Sequence, residues 1–261
     1  MSSIVTDQGL VHYEAYGCGP PVILLHGWLG SWALWQPTME ALGQTYRCYA
    51  LDFWGFGESG KKRATYAVTD FMELVKQFMD VLGIIAAPLV GHSMGGTTGL
   101  GTAVRYPDRV RKVAVIGSPI VGSSLSLLLK LAGNPSIGSV VRRNLNLLKL
   151  GLRLYAPIVT RAPEKWWPML EKDVSSMTVA SFFSSINSLR RTDLRSELHK
   201  ITVPALGVYG KRDVIVHPQQ YRPLQAGVPH ARIEIRDNSG HFPMLDEPEA
   251  YLDIIKSFLA S

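Results

Sequence analysis

The stretch Ala87-Pro88-Leu89-Val90-Gly91-His92-Ser93-Met94-Gly95-Gly96 decides how this chain is read. The short apolar run before Gly91 has the pattern of a buried strand, and GGTTGLGTAVRYP after the serine has the pattern of a helix that stops at Pro107. Between them stands G-x-S-x-G. Alone, that pentapeptide is a weak match. With a strand before it and a helix after it, it describes a tight turn that lifts one serine hydroxyl above the edge of a sheet. A turn so sharp needs small residues on either side of Ser93. The helix that starts there points its first amides at the same spot, favouring a developing negative charge. The competing reading is a glycine-rich turn with an incidental serine.

Outward from this turn, strand and helix patterns alternate. Towards the N-terminus, LVHYEAY reads as a half-buried strand, residues 17–21 turn the chain, and PVILLHG is apolar throughout, as a strand buried on both faces would be. A helical pattern over 32–42, the strand YRCYALD and the helix FMELVKQFMDVLG follow, the last opened by Thr69 and Asp70 and stopped by Gly83. After the serine turn come the strand VRKVAVIG and, beyond an interruption, VPALGVYG, the helix HPQQYRPLQAGV, the strand ARIEIRD and a closing helix that starts near Asp246. This order predicts an α/β protein with a mainly parallel, doubly wound sheet. Residues 1–118 and 196–261 form its core. The interruption, 119–195, holds helical patterns and no convincing strand, and reads as an inserted helical lid. Over 140–155 one apolar stripe holds Val141, Leu145, Leu148, Leu152 and Tyr155, and a second arc holds Leu147, Leu150 and Leu154. Apolar surface on most sides predicts a helix that packs on the body and also faces a pocket, or one whose two arcs are both lid core.

A serine hydroxyl is a weak nucleophile at neutral pH, so the turn demands a base and an orienting acid elsewhere, in the chain order serine, acid, histidine. Asp213 follows the strand VPALGVYG, at the sheet edge where ligands bind in open α/β sheets. His241 follows ARIEIRD, in Asn238-Ser239-Gly240-His241-Phe242-Pro243. Singly, the first reads as a turn aspartate and the second as a loop histidine; after successive strands and in the required order, they complete a Ser93, Asp213, His241 set. Acyl transfer also needs two donors for its oxyanion. The backbone N–H of Met94 supplies one and the loop Leu24-Leu25-His26-Gly27-Trp28-Leu29-Gly30 the other, through Trp28, while the His26 imidazole reads as a loop tie.

HGW, DFWGFGES, GHSMGG, YGKRD and SGHFPMLDEP, in this order and spacing, resemble the α/β-hydrolase superfamily, and in particular its small bacterial serine esterases and non-haem haloperoxidase-like hydrolases. The resemblance covers about residues 9–118 and 200–260 and leaves the lid unmatched. It implies a triad without metal or cofactor: Ser93 attacks, His241 relays the proton, Asp213 orients the imidazole, and Trp28 with Met94 hold the oxyanion. The DFWGFGES loop is usually structural in that family. Serine at position 93, where epoxide hydrolases and haloalkane dehalogenases of this fold have aspartate, argues against those activities. Cleavage of a carboxylic ester with an apolar acyl or aryl part is the leading expectation, given a lid rich in Leu, Phe and Trp. The alternatives are a C–C bond hydrolase or lyase acting on a carboxylated intermediate, which would need a pocket-facing arginine such as Arg142, Arg143, Arg153, Arg190 or Arg191, and a small-molecule receptor with residual hydrolysis.

The 261 residues, 46% hydrophobic and 18% charged, suit one large core with an insertion. The net charge of +6 is confined: residues 119–200 hold twelve Lys/Arg against five Asp/Glu, an excess of seven, which leaves the remainder at about −1. These cations lie in Leu-rich sequence without a nucleic-acid motif, so a solvated face is expected, with contact to a membrane surface through the basic lid as the minority reading. Cys18 and Cys48 lack metal or disulfide spacing and read as free thiols. With no basic-then-apolar leader and no window of ~18 apolar residues, a cytoplasmic protein binding a small-molecule substrate is expected.

Overall fold

Val22, Ile23, Leu24 and Leu25 are all fully buried, because the strand they form, β3 (Pro21–Leu25), lies between parallel neighbours in a sheet covered on both faces. Each such side chain withdrawn from water stabilises the fold by about 1.5–3 kcal/mol. The structure is a computed structural model that describes residues 2–62, 65–126, 129 and 145–261. Its strands are β1 (Ser2–Thr6), β2 (Gly9–Tyr16), β3, β4 (Arg47–Leu51), β5 (Ala87–His92), β6 (Val110–Ile116), β7 (Ala205–Gly210) and β8 (Arg232–Arg236). They form one sheet in the order β1-β2-β4-β3-β5-β6-β7-β8. The β1/β2 and β2/β4 pairs are antiparallel and every other pair is parallel. Strand β1, which the sequence reading did not separate, is a short edge strand folded back on β2.

Helices α1 (Gln36–Leu42), α2 (Val68–Val81), α3 (Met94–Arg105), α7 (Tyr221–Gly227), α8 (Pro243–Asp246) and α9 (Pro248–Ala260) accompany the sheet. One apolar cluster joins α2 and α3 to one face, and another joins α1 and α9 to the opposite face. Helix boundaries depart from the expected ones where proline or capping decides. The expected helix over 32–42 begins as a 3-10 turn, Trp32–Trp35, because Pro37 occupies the start of α1. Helix α2 starts one residue before Thr69, since the Asp70 carboxylate accepts from the Ala67 N–H at 2.9 Å. The closing helix is split: Glu247, whose φ −137° and ψ 62° are not helical, precedes Pro248 and separates α8 from α9.

Between β6 and β7 the chain forms α4 (Leu145–Val159), α5 (Pro163–Ser176) and α6 (Val179–Arg191). This segment leaves and rejoins the body side by side, with Gly122 N donating to Thr192 O (2.8 Å) and Leu194 N to Ile120 O (3.1 Å). On α4 the two apolar arcs have different fates. Leu148, Leu152 and Tyr155 pack inward, whereas Leu147, Leu150 and Leu154 are 53–72% exposed, so the second arc is neither lid core nor pocket wall. Val141 and the rest of the expected helix before 145 lie outside the described residues.

Candidate active site

Ser93 joins β5 to α3 with φ +52° and ψ −120°, a conformation that side-chain-bearing residues rarely adopt. The surroundings hold it there. Ser93 N donates to Ile116 O at 2.8 Å, and Gly95 lies so close to the Leu25 and His26 carbonyls that a Cβ would collide with them. Met94 opens α3, so its N–H is among those without a helical acceptor.

Asp213 follows β7. Its Oδ1 accepts from Ile215 N (2.8 Å) and Val216 N (2.9 Å), which fixes the carboxylate, and its Oδ2 lies 2.8 Å from His241 Nδ1. Both side chains are buried. With Nδ1 donating to the carboxylate, the neutral imidazole keeps Nε2 as an acceptor. The His241 backbone is anchored twice: its N–H donates to Val159 O at the end of α4 (3.0 Å), and its carbonyl accepts from His92 Nε2 (2.9 Å). Burial holds His92 well below the ordinary histidine range, with the nearby His241 ring acting the same way, so it is a neutral donor. In the sequence only its position just before Ser93 marks His92; its partner lies 149 residues away.

The loop after β3 runs against the serine. A Cβ on Gly27 would lie 3.0 Å from Ser93 Cβ and 2.9 Å from His92 Nδ1. The Trp28 indole donates to Phe182 O (3.2 Å) from α6. His26 has both nitrogens occupied, Nδ1 by Gly27 O (2.7 Å) and Nε2 by the N–H of Phe53 (3.0 Å), and burial lowers its pKa, consistent with a neutral loop tie. Asp52 is likewise committed: it accepts from Trp32 N and Glu58 N and pairs with His12 Nδ1.

Ser93, His241 and Trp28 line one cavity, whose walls include Leu152 and Tyr155 from α4, Trp166 from α5, and Phe242. Among the described residues no arginine or lysine lines it. Arg153 is exposed and lies over the Trp167 ring at 5.8 Å, Arg190 reaches Asn187, and Arg191 is exposed. Arg142 and Arg143 lie outside the described residues. One acid does line the cavity: Asp173 on α5, whose pKa burial pushes up to about 7 against the opposing effect of a hydrogen bond to the Ser31 side chain. Nothing in its sequence neighbourhood marks this residue, because a single acid on a helix reads as surface.

Among the described residues no helix is long and apolar enough to cross a membrane. The family model described as alpha/beta hydrolase fold matches residues 20–248. The chain is 28% identical to carboxylesterase YbfK of Bacillus subtilis over 269 residues, covering 98% of this chain and 86% of that protein. In fold it is similar to an esterase from Exiguobacterium antarcticum (TM-score 0.87, 22% identity, 98% of each chain covered) and to a bromoperoxidase from Bacillus anthracis (TM-score 0.86, 22% identity, 100% of each chain covered). The eight-stranded sheet, the serine turn at the end of β5 and the family match agree: the chain is a hydrolase and belongs to the α/β-hydrolase fold family.

Proposed function

We propose that this hydrolase cleaves a carboxylic ester with a largely apolar acyl or aryl part, through Ser93, His241 and Asp213. The observation that carries the reading is the 2.8 Å contact between His241 Nδ1 and Asp213 Oδ2, with Ser93 and His241 on the wall of one apolar cavity. In the reaction, His241 Nε2 takes the proton as Ser93 Oγ attacks the ester carbonyl. The imidazolium is stabilised by Asp213, and the N–H groups of Trp28 and Met94 hold the tetrahedral oxyanion. Collapse expels the alcohol, which receives the proton from His241 and leaves an acyl-Ser93. Water, deprotonated by the same imidazole, releases the acid. Helices α4, α5 and α6, within an insert of 119–195, act as the lid that excludes water and shapes the apolar part of the site. Substrates with a carboxylate at the reacting end find no complementary cation among the described lining residues, which disfavours the C–C hydrolase and lyase alternative.

The test is a p-nitrophenyl ester panel of increasing acyl length with wild type and Ser93→Ala, together with fluorophosphonate labelling and peptide mapping. Turnover several orders of magnitude above the variant, with label on Ser93, is expected. Equal rates for the two proteins on every ester would refute it.

A further inference from the structure

Asp173 is 7% exposed, projects from α5 into the cavity that Ser93 shares, and takes no part in the chemistry above. A buried carboxyl group is normally matched by a cation or by several hydrogen-bond donors. Here the match is incomplete. Asp173 enters no ion pair among the described residues. Its neighbour Lys172 is directed outwards, 69% exposed and 3.5 Å from Glu58. The Ser31 side chain offers one hydrogen bond, and the nearby Asp52 adds negative charge rather than relieving it. Asp52 itself is fully engaged by His12 and two backbone amides. Burial is the main reason that the Asp173 pKa is raised; the Ser31 hydrogen bond opposes it, Asp52 adds to it, and Lys172, turned to solvent, opposes it least.

The remaining walls complete a recognisable chemistry. Trp28, Trp166 and Phe242 line the same cavity, with the Trp166 and Phe242 rings 5.4 Å apart. Aromatic faces attract cations, and more strongly when water is excluded. Among its described lining residues the cavity has aliphatic and aromatic walls, one buried carboxyl group and no lysine or arginine, a combination complementary to an organic cation with an apolar body. It is hostile to an anion.

We propose that Asp173 forms an ammonium subsite beside Ser93, so that the preferred substrates are esters whose apolar body ends in a protonated amine. The proposal rests on the ester-hydrolase reading for its catalytic arm only. Asp173 determines specificity here and does not touch the reacting atoms.

The test compares p-nitrophenyl ε-aminohexanoate with p-nitrophenyl heptanoate, which differ only in an ammonium or a methyl at the chain end, in wild type and Asp173→Asn at about pH 8, where the carboxyl is ionised. The expected kcat/KM ratio favours the ammonium ester by about tenfold or more in wild type and falls to one or below in the variant, where the buried ammonium has no counter-charge. A purely structural role for Asp173 would move both esters together, and an unchanged ratio, or a wild-type ratio at or below one, overturns the proposal. If no ester is turned over above the Ser93→Ala background, the nucleophile assignment fails on its own. The subsite is then read by calorimetry on that variant with n-hexylammonium and n-hexanol. Tighter ammonium binding that Asp173→Asn abolishes supports the subsite, and equal binding of the two ligands overturns it.

Discussion

At the scale of single residues, Ser93 and Asp173 show two ways in which a fold holds an unfavourable state. Ser93 keeps a rare backbone conformation because the strand before it and the helix after it are both fixed. Asp173 keeps a carboxyl group out of water, with consequences for stability that follow from its pKa of about 7 in the fold against the ordinary 3.8. Between those values the folded chain holds this proton more tightly than the unfolded one, so the contribution of Asp173 to stability is greatest below about pH 4 and declines as pH rises towards 7. Replacing Asp173 with Asn removes this decline. The variant should be more stable than wild type at about pH 8, by roughly 2–4 kcal/mol, and should lose most of that advantage at about pH 4. Denaturant unfolding at both pH values measures it. A stability difference independent of pH would show that Asp173 is not the group responsible.

At the scale of elements, the histidine loop and the insert are joined through Asp246. The sequence places this residue near the start of the closing helix. In the fold it ends α8, and its carboxylate reaches back: Oδ1 accepts from Thr160 Oγ1 (2.5 Å) and Arg161 N (2.7 Å), just past α4, while Oδ2 accepts from Gly240 N (2.7 Å). The acid therefore ties the end of α4 to the residue before His241. Asp246→Ala leaves three donors without their acceptor. It should lower stability by about 2 kcal/mol and, because the imidazole loses its alignment, reduce kcat/KM by about tenfold or more. Steady-state kinetics on a variant that still gives the wild-type circular dichroism spectrum measures this; unchanged kcat/KM would remove Asp246 from the alignment of His241.

At the scale of the whole molecule, the insert is built into both faces of the core. Ala156, Val159, Trp166, Leu170, Val174 and Phe182 join the cluster around α1 and α9, while Ile186 and Leu189 join the one around α2 and α3. An insert sharing both clusters cannot unfold without exposing the apolar surface of the body. Thermal unfolding followed by tryptophan fluorescence and by far-ultraviolet circular dichroism should therefore give coincident single transitions. A separate early fluorescence transition that is lost when Trp166 and Trp167, two of the six tryptophans, are replaced by Phe would show an insert that melts independently.

Strands β2 to β8, the serine turn and the places of Asp213 and His241 after β7 and β8 were legible in the sequence because each rests on local pattern: period-two or apolar runs, glycine-bounded turns and position after a strand; the short edge strand β1 was not. Helix ends were legible only to within a residue or two, as Pro37, Asp70 and Pro248 show, because a cap or a proline several residues away sets them. What the sequence could not contain was the direction of side chains on the insert. Leu152 and Leu154 are both leucines on one apolar helix, and only the packing of α4 sends one into the cavity and the other to the surface. Asp173, His92 and Asp246 draw their roles from partners 142, 149 and 86 positions away in the chain, and contacts at such separations exist only once the sheet has brought those segments together.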